Sequence, residues 1–394
     1  MEDKFAPAPV RHLDLRPMPD DEEHLLVIDR IGLIEDPLVV PLAFLLVAQH
    51  FDGRRTTEDL VELLGRENIR IDAAVITHIS RQLSEAGLLD DARMQDLLAV
   101  RERECLESPR PARLAGACYP ITPDACRRWV DDLMADAGPA LPLTQTHVPA
   151  LVLPHIDLRK GGLTYARAYR ELVASPPADV YVIIGIGHAG LRHGVSLAPI
   201  DFETPLGSAP ADREICAELV DRCGGWLLSD QLVQAKEHSI ECQVVFLKHL
   251  MAHPFAIVPL LTGFGGDDDQ RMGGFVKILQ DVLRESRKRW TVLSSVDFSH
   301  IGPMYGDQHP AAPIMSQVES QDRTAIERLE AADDGGFWET IHGPRNPTRI
   351  CGYSSMWSML NLAQPRRGRL IEYAETSMDD LDSRVTFASL AFEA

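Results

Sequence analysis

The sequence predicts an α/β protein, in which helices cover both faces of a central, mostly buried sheet and a small α+β winged-helix-like domain precedes it. Two observations predict this architecture. The chain has 394 residues, which is more than one small core accommodates. After about residue 114, runs of Val, Ile and Leu alternate with segments of helical periodicity, as is typical of a sheet buried on both faces.

Residues 1–100 are predicted to form the small domain. Two β-rich runs within residues 24–40 flank polar breaks, as in a hairpin. Three short helices are expected next, because each segment has helical spacing and is bounded by Thr, Asp or Gly. They are predicted at residues 41–53, 56–65 and 72–89.

A charged, proline-bearing segment, residues 101–113, is interpreted as a linker, and residues 114–394 as the α/β domain. Strands are predicted in this domain at residues 150–154, 180–186, 255–261, 290–296, 369–375 and 384–392. Helices are predicted at residues 165–175, 212–223, 237–251 and 317–332.

The charge balance limits the classes of partner. With 39 basic and 59 acidic residues the net charge is −20, which opposes non-specific attraction to nucleic acid and anionic membranes. The N-terminal sequence lacks the features of a secretory signal, and the apolar stretch at residues 37–49 is too short to span a bilayer. We therefore predict a cytoplasmic protein without nucleic-acid or membrane partners. Its seven scattered cysteines are expected to be reduced thiols.

Three predicted strands end in side chains that bind metals well. His155 and Asp157 follow the first strand, His188 follows the second, and Asp297 and His300 follow the fourth. Ligands of α/β sheets bind beyond the carboxyl ends of the strands, so these side chains are expected to converge. Two histidines with one anionic ligand bind Fe(II), Zn(II) or copper and leave coordination positions open. The alternative for each histidine is an ordinary hydrogen-bonded loop residue.

The spacing does not identify the anionic ligand, for which Asp157, Asp297, Glu237, Glu241 and Cys351 are all candidates. Cys351 lies in a glycine-bearing loop before a predicted helix, where the helix N-terminus or a metal stabilises a thiolate. An inert buried thiol is the more common state of a free cysteine.

Another polar group is predicted at the start of the helix at residues 237–251. His238, Glu241 and Cys242 have i, i+3, i+4 spacing and would share one helix face. This face would line a pocket, or the glutamates would stabilise the helix N-terminus while His238 is exposed. The motifs of zinc proteases, P-loop proteins and serine hydrolases do not occur in the sequence.

Seven motifs occur in the order typical of one family. They are LAGACYP (114–120), PHIDLRKGG (154–162), IGIGH (184–188), FETPLG (202–207), EHSIE (237–241), SSVDFSH (294–300) and ICGY (350–353). Over residues 112–394 the chain resembles the Memo-like proteins, which include the AmmeMemoRadiSam system protein B. Their fold is similar to that of class III extradiol dioxygenases, which hold non-haem Fe(II) by two histidines and a carboxylate and cleave catechol rings with O₂.

The resemblance implies a metal site with His155, His188 and Cys351 as ligands and one metal ion. The ion is expected to be iron, with copper or zinc as alternatives because a thiolate replaces the dioxygenase carboxylate. Where the family commonly has PHAGY, this chain has Asp157 and Arg159 after His155, which would add charge at the mouth of the site.

The same resemblance implies that His300, His238 and Asp297 line this pocket as catalytic residues. His300 corresponds to the acid/base histidine of the dioxygenases. An imidazole that titrates near neutral pH suits the transfer of protons between substrate and oxygen.

Residues 12–92 resemble the PqqD-like peptide-recognition domains, through FDGRRTTEDLVELL (51–64) and QLSEAGLL (82–89). The alternative is a plain helical packing domain. Together these features predict a metal-dependent, dioxygenase-like redox protein that acts on a small molecule or a modified macromolecule. The family implies radical-SAM and AMMECR-type partner proteins. The alternatives are a non-catalytic adaptor for a peptide or metal, and a metal-assisted hydrolase.

Overall fold

The computed structural model describes residues 5–139, 147–263 and 269–394 and divides the chain into two compact units. The first unit extends to Glu104, and the second runs from Cys105 to Ala394. The helix over Ala92–Leu106 continues through residues 101–106, which we assigned to the linker.

The first unit is an α+β structure. In the part described, the strands β1 (Asp14–Met18), β2 (Asp21–Ile28) and β3 (Leu38–Pro41) form an antiparallel sheet in this order. The predicted hairpin is present as β2 and β3, whereas β1 was not predicted. Its identification as a winged helix remains a prediction. The helices that follow the strands are α1 (Leu42–Ala48), α2 (Thr57–Arg66), α3 (Ala73–Glu85) and α4 (Ala92–Leu106).

Local hydrogen bonds explain where these helices begin. The Thr56 hydroxyl accepts from the amide of Asp59, whose carboxylate in turn accepts from the Thr56 amide, so α2 starts with a capping box. Asp72 caps α3 in the same position. The apolar faces of both helices are buried in the core of this unit.

The second unit is built around a mixed sheet. Within the described residues, seven strands follow the order β10-β11-β4-β8-β5-β7-β6, and β9 pairs with β11. The strands β4, β8, β5 and β7 are parallel neighbours. All six predicted strands are present, whereas β6 and β9 were not predicted because they are too short to show a periodic pattern.

The elements of the second unit up to β7 are α5 (Pro123–Asp136), β4 (Ala150–Leu153), α6 (Leu158–Ala174), β5 (Val180–Ile186), β6 (Val195–Leu197), α7 (Arg213–Cys223), α8 (Gln231–Lys236), α9 (Glu241–Leu250) and β7 (Ala256–Thr262). They are followed by α10 (Asp269–Ser286), β8 (Trp290–Ser295), β9 (His300–Ile301), α11 (Met315–Glu330), α12 (Asp334–His342), α13 (Tyr353–Ala363), β10 (Arg367–Ser377) and β11 (Arg384–Glu393).

The sheet is buried on both faces, as its apolar strands predict. Every residue of β5 is buried. Val182 and Ile184 belong to one core together with residues of α7, α10 and α13. Tyr181 and Ile183 point to the opposite face because strand side chains alternate, and they are buried too. No helix in the described parts of the chain has both the length and the apolar character needed to cross a membrane.

The prediction of a helix over residues 237–251 is wrong for its first four residues. α8 ends at Lys236 and α9 begins at Glu241, so residues 237–240 form a turn between two helices. The carboxylate of Glu237 accepts hydrogen bonds from the amides of His238 and Ser239, and such local bonds compete with helix formation. The prediction that His238 shares a helix face with Glu241 and Cys242 is therefore also wrong.

Replacing Ile184 with alanine tests the burial of the central strand. Ile184 is 2% exposed in β5, which pairs with β7 and β8 on its two sides, so the free energy of unfolding should fall by about 2–5 kcal/mol. All five tryptophans lie between residues 129 and 357, so tryptophan fluorescence during urea unfolding reports on the second unit. The same substitution at Ile121, which is 65% exposed, should change the stability by no more than about 0.5 kcal/mol. Equal losses of stability in the two variants would contradict the burial of Ile184 in the central strand.

Candidate metal centre

The carboxyl ends of three adjacent strands meet at one edge of the sheet. β8 lies between β4 and β5. His155 follows β4, Asp297 follows β8 and His188 follows β5, each two residues after its strand ends. Because the strands are parallel and in register, these loops leave the sheet at the same level.

Three histidines form a compact cluster at this edge. One ring nitrogen from each of His155, His188 and His238 lies within 4.8 Å of the others. The ring centroids are separated by 4.9 Å for His155 and His188, 5.1 Å for His155 and His238, and 5.0 Å for His188 and His238. His155 is buried, His238 is half-buried and His188 is exposed, so the cluster is open on one side.

Each of these rings has its Nδ1 atom beside a hydrogen-bond acceptor. Nδ1 of His155 lies 3.0 Å from the carbonyl oxygen of Ser295. Nδ1 of His188 is 3.0 Å from one carboxylate oxygen of Glu237, and Nδ1 of His238 is 2.9 Å from the other. Since these oxygens can only accept, Nδ1 carries the proton in all three rings. In the neutral rings the Nε2 lone pairs are left for a ligand.

Glu237 holds two histidines with one carboxylate. Its Oε2 accepts from the amide and the ring of His188, and its Oε1 accepts from the amides of His238 and Ser239. Burial disfavours this charge, but hydrogen bonds from His188 and His238 outweigh it and hold the pKa of Glu237 well below its usual range. A metal-ligating histidine commonly donates its second N–H to a carboxylate, which fixes the ring and makes it more basic.

The electrostatics of His155 and His238 differ. Burial, together with the two neighbouring imidazoles, lowers the pKa of His155 well below its usual value and keeps this ring neutral. Burial also disfavours protonation of His238, but the hydrogen bond and charge of Glu237 outweigh it and raise the pKa of that ring.

Asp297 lies against the cluster without belonging to it. Its Oδ1 accepts from the amides of His155 and Ile156, and its Oδ2 is 3.6 Å from Nε2 of His155. Burial raises the pKa of Asp297 to about 6. One oxygen therefore fixes the loop after β4, while the other faces the histidines.

Cys351 approaches the cluster from the start of α13. Its Sγ is 3.5 Å from Nε2 of His155 and 3.3 Å from the carbonyl oxygen of Asp297. A Cβ atom on Gly352 would lie 2.1 Å from Cβ of Val296, so only glycine allows this loop to pack against the end of β8. Burial, reinforced by the charge of Asp297, raises the pKa of the Cys351 thiol well above its usual value.

His300 occupies a separate position beside the cluster. Its Nδ1 donates to the carbonyl oxygens of Phe298 and Arg349, at 2.9 and 3.1 Å. The ring contacts Tyr305 edge to face, with centroids 4.9 Å apart. Burial lowers the pKa of His300 to about 4, so this ring is neutral at physiological pH.

Other candidates from the sequence have structural roles. Asp157 caps α6 and pairs with the exposed side chain of Arg159. Glu241 is fully engaged away from the histidines, with Arg110, two backbone amides and Tyr119. Cys242 is a buried thiol behind His155, with its Sγ 3.9 Å from the His155 carbonyl oxygen.

The sequence did not reveal the bridging role of Glu237, which we considered as an anionic ligand or as a stabilising charge at a helix N-terminus. The signal was present, because the EHSIE motif places this acid directly before His238. Its second partner, His188, is 49 positions away in the chain, and no local pattern indicates that contact.

The donor set fits a divalent metal ion. Neutral imidazoles with a free Nε2 and an anchored Nδ1 are the state in which histidine binds Fe, Cu or Zn. A thiol and a carboxylate lie within 4 Å of the same nitrogen of His155 and offer further donors.

Comparison with known proteins agrees with the motifs. A family model described as Memo-like protein matches residues 110–391. The MEMO1 family protein of Aquifex aeolicus is 27% identical over 388 residues, which cover 97% of this chain and 99% of the relative. The MEMO1 family protein MK0963 of Methanopyrus kandleri is 30% identical over 296 residues, which cover 72% of this chain and 98% of the relative.

A solved structure, that of the uncharacterized protein JW3007 from Escherichia coli K12, covers 62% of this chain and 99% of its own, at 17% identity and a TM-score of 0.35. Similarity at this level supports no argument about fold or function. The family model, in contrast, spans well over half of the sequence. The chain belongs to the Memo-like protein family.

Proposed function

We propose that this protein is a metal-dependent oxidoreductase that binds one metal ion through Nε2 of His155, His188 and His238. Cys351 adds a thiolate when the metal is bound. The supporting observation is the Glu237 carboxylate, which accepts from two histidines at once and leaves both Nε2 atoms without a hydrogen bond to any residue that the structure describes. We propose iron as the metal, with copper or zinc as competitors for a site of mixed nitrogen and sulfur donors.

A bound metal would supply redox or Lewis-acid chemistry at this site. Proton transfer is assigned to two side chains of the protein, Asp297 and His300. Asp297, with its pKa raised to about 6 and its Oδ2 directed at the cluster, is suited to accept a proton from a substrate hydroxyl group. His300 is neutral, with Nδ1 donating to backbone carbonyl groups, and its Nε2 is the atom suited to accept or return a proton.

The substrate we propose is a small molecule or a peptide segment that enters from the open side of the cluster, where His188 is exposed and His238 is half-buried. Radical-SAM and AMMECR-type partner proteins are proposed from the family resemblance. The first unit would then present a peptide client, as its resemblance to peptide-recognition domains suggests.

A metal-assisted hydrolase is the second candidate, favoured by the raised pKa of Asp297. A carboxylate of this kind would activate a water molecule as well as a substrate hydroxyl group. Oxygen consumption by the iron-loaded protein separates the two. Reductant-dependent consumption that disappears in His188→Ala supports the oxidoreductase, and turnover of an ester by the zinc-loaded protein alone supports the hydrolase.

Metal content after anaerobic purification tests the site. Wild type should contain close to one metal ion per chain, and His155→Ala, His188→Ala and His238→Ala should lose it, because each substitution removes one imidazole. The matched control is His309→Ala, which should leave the metal content unchanged because the exposed His309 ring bonds to the neighbouring Pro310 carbonyl oxygen and lies outside the cluster. Loss of metal in Cys351→Ala would identify the thiolate as a ligand. Histidine variants that fold and keep their metal would contradict the proposal.

Glu237→Gln tests the bridging carboxylate. A glutamine side chain offers only one oxygen to the two N–H groups, so the zinc affinity should fall by about 10–100-fold. Competition with a chromophoric chelator measures this change. Glu203→Gln, the same substitution at an exposed position, should leave the affinity unchanged. If both variants bound zinc as wild type does, Glu237 would have no role in organising the site.

A further inference from the structure

A buried arginine lies directly behind the turn that carries Glu237 and His238. Arg110 is 2% exposed, although residues 101–113 were interpreted as a charged linker. Its backbone is fixed first, because its amide donates to Asp201 and its carbonyl oxygen accepts from Glu203, both at 2.8 Å. The guanidinium group also lies over the ring of Phe202, 5.2 Å from its centroid. The arginine is therefore anchored independently of the turn.

The guanidinium group donates to three successive parts of the helix–turn–helix segment. Nε donates to the carbonyl oxygen of Gln234 in α8 at 3.1 Å. Nη2 donates to the carbonyl oxygen of Glu237 in the turn. Nη1 donates to the carboxylate of Glu241 at the start of α9, at 2.6 Å. The last carbonyl groups of a helix have no partner within it, so this one planar group completes the end of α8 and joins it to α9.

Glu241 is the fixed counter-ion of this arginine. Its side chain is 1% exposed, as is that of Arg110. Besides Arg110, it accepts from the amides of Arg113 and Leu114, at 3.1 and 2.8 Å, and from the Tyr119 hydroxyl at 2.7 Å. Both charges are thus fully paired, as burial requires.

We propose that Arg110 is a positioning residue of the metal centre. The proposal rests on the proposed function, because it gives the turn at residues 237–240 the task of aligning Nε2 of His188 and His238. The backbone of Glu237 is held through its carbonyl oxygen by Arg110, and the side chain of the same residue holds both rings. Arg110 touches neither histidine and acts only through Glu237. An ion pair that serves stability alone would not require the two bonds to carbonyl groups.

The substitution Arg110→Lys tests the hydrogen bonds of the guanidinium group separately from its positive charge. Lysine keeps the positive charge beside Glu241, but its single ammonium group cannot reach the carbonyl oxygens of Gln234 and Glu237 as a planar fork does. The matched control is Arg369→Lys, the same substitution opposite the buried carboxylate of Glu171 in the same unit. Two readouts are taken on the full chain: amide hydrogen exchange of residues 237–243 in the metal-free protein, and titration with Co²⁺ followed by its visible absorption.

In Arg110→Lys we expect exchange in residues 237–243 to be at least about tenfold faster, and Co²⁺ affinity to be about 10–100-fold weaker with a changed absorption spectrum. Arg369→Lys should leave both readouts as in wild type. Wild-type exchange and wild-type Co²⁺ binding in a folded Arg110→Lys would overturn the proposal, whatever the change in stability. If wild type itself bound no Co²⁺ at the histidines, the proposed function would fail, and the exchange data would still decide whether Arg110 orders the turn at residues 237–240.

A second variant covers the case in which Arg110→Lys does not fold. The double substitution Arg110→Met with Glu241→Gln removes the fork without leaving a buried charge unpaired. It should show the same faster exchange in residues 237–243 and the same loss of Co²⁺ affinity. Wild-type values in this variant would also overturn the proposal.

Discussion

The candidate metal centre depends on one carboxylate. Glu237 accepts from the rings of His188 and His238 with its two oxygens, and no other side chain in the described residues contacts both rings in this way. The consequence is chemical as well as geometric. Protonation at Nδ1 makes Nε2 the metal-binding atom in each neutral ring, so the carboxylate selects the tautomer and the direction of two ligands together.

The sheet and the turn contribute in different ways. His155 and Asp297 follow strands that are buried on both faces, so their positions are set by the register of β4 and β8. His238 follows no strand, and its position is set by a short turn between two helices. The buried guanidinium group of Arg110 donates to the carbonyl oxygen of Glu237 in this turn and to the carboxylate of Glu241 directly after it.

Much of the fold could be predicted from the sequence, because its long strands consist of Val, Ile and Leu runs with clear boundaries. The strand-end positions of His155, His188 and Asp297 followed from the same pattern. The helix predicted at residues 237–251 was wrong because Glu237 bonds to nearby amides, a preference that apolar periodicity does not record. Arg110 was missed because its charge and the neighbouring prolines are typical of a linker, and its burial depends on Glu241, 131 positions away.

The position of the metal is the most direct test of this account. Anomalous diffraction from crystals of the zinc-loaded protein, measured on both sides of the zinc edge, locates the ion without assumptions about its ligands. We predict one peak bounded by Nε2 of His155, His188 and His238, with Glu237 still bonded to both Nδ1 atoms. A peak elsewhere, or one coordinated through Nδ1 with Glu237 displaced, would contradict the claim that Glu237 organises the site.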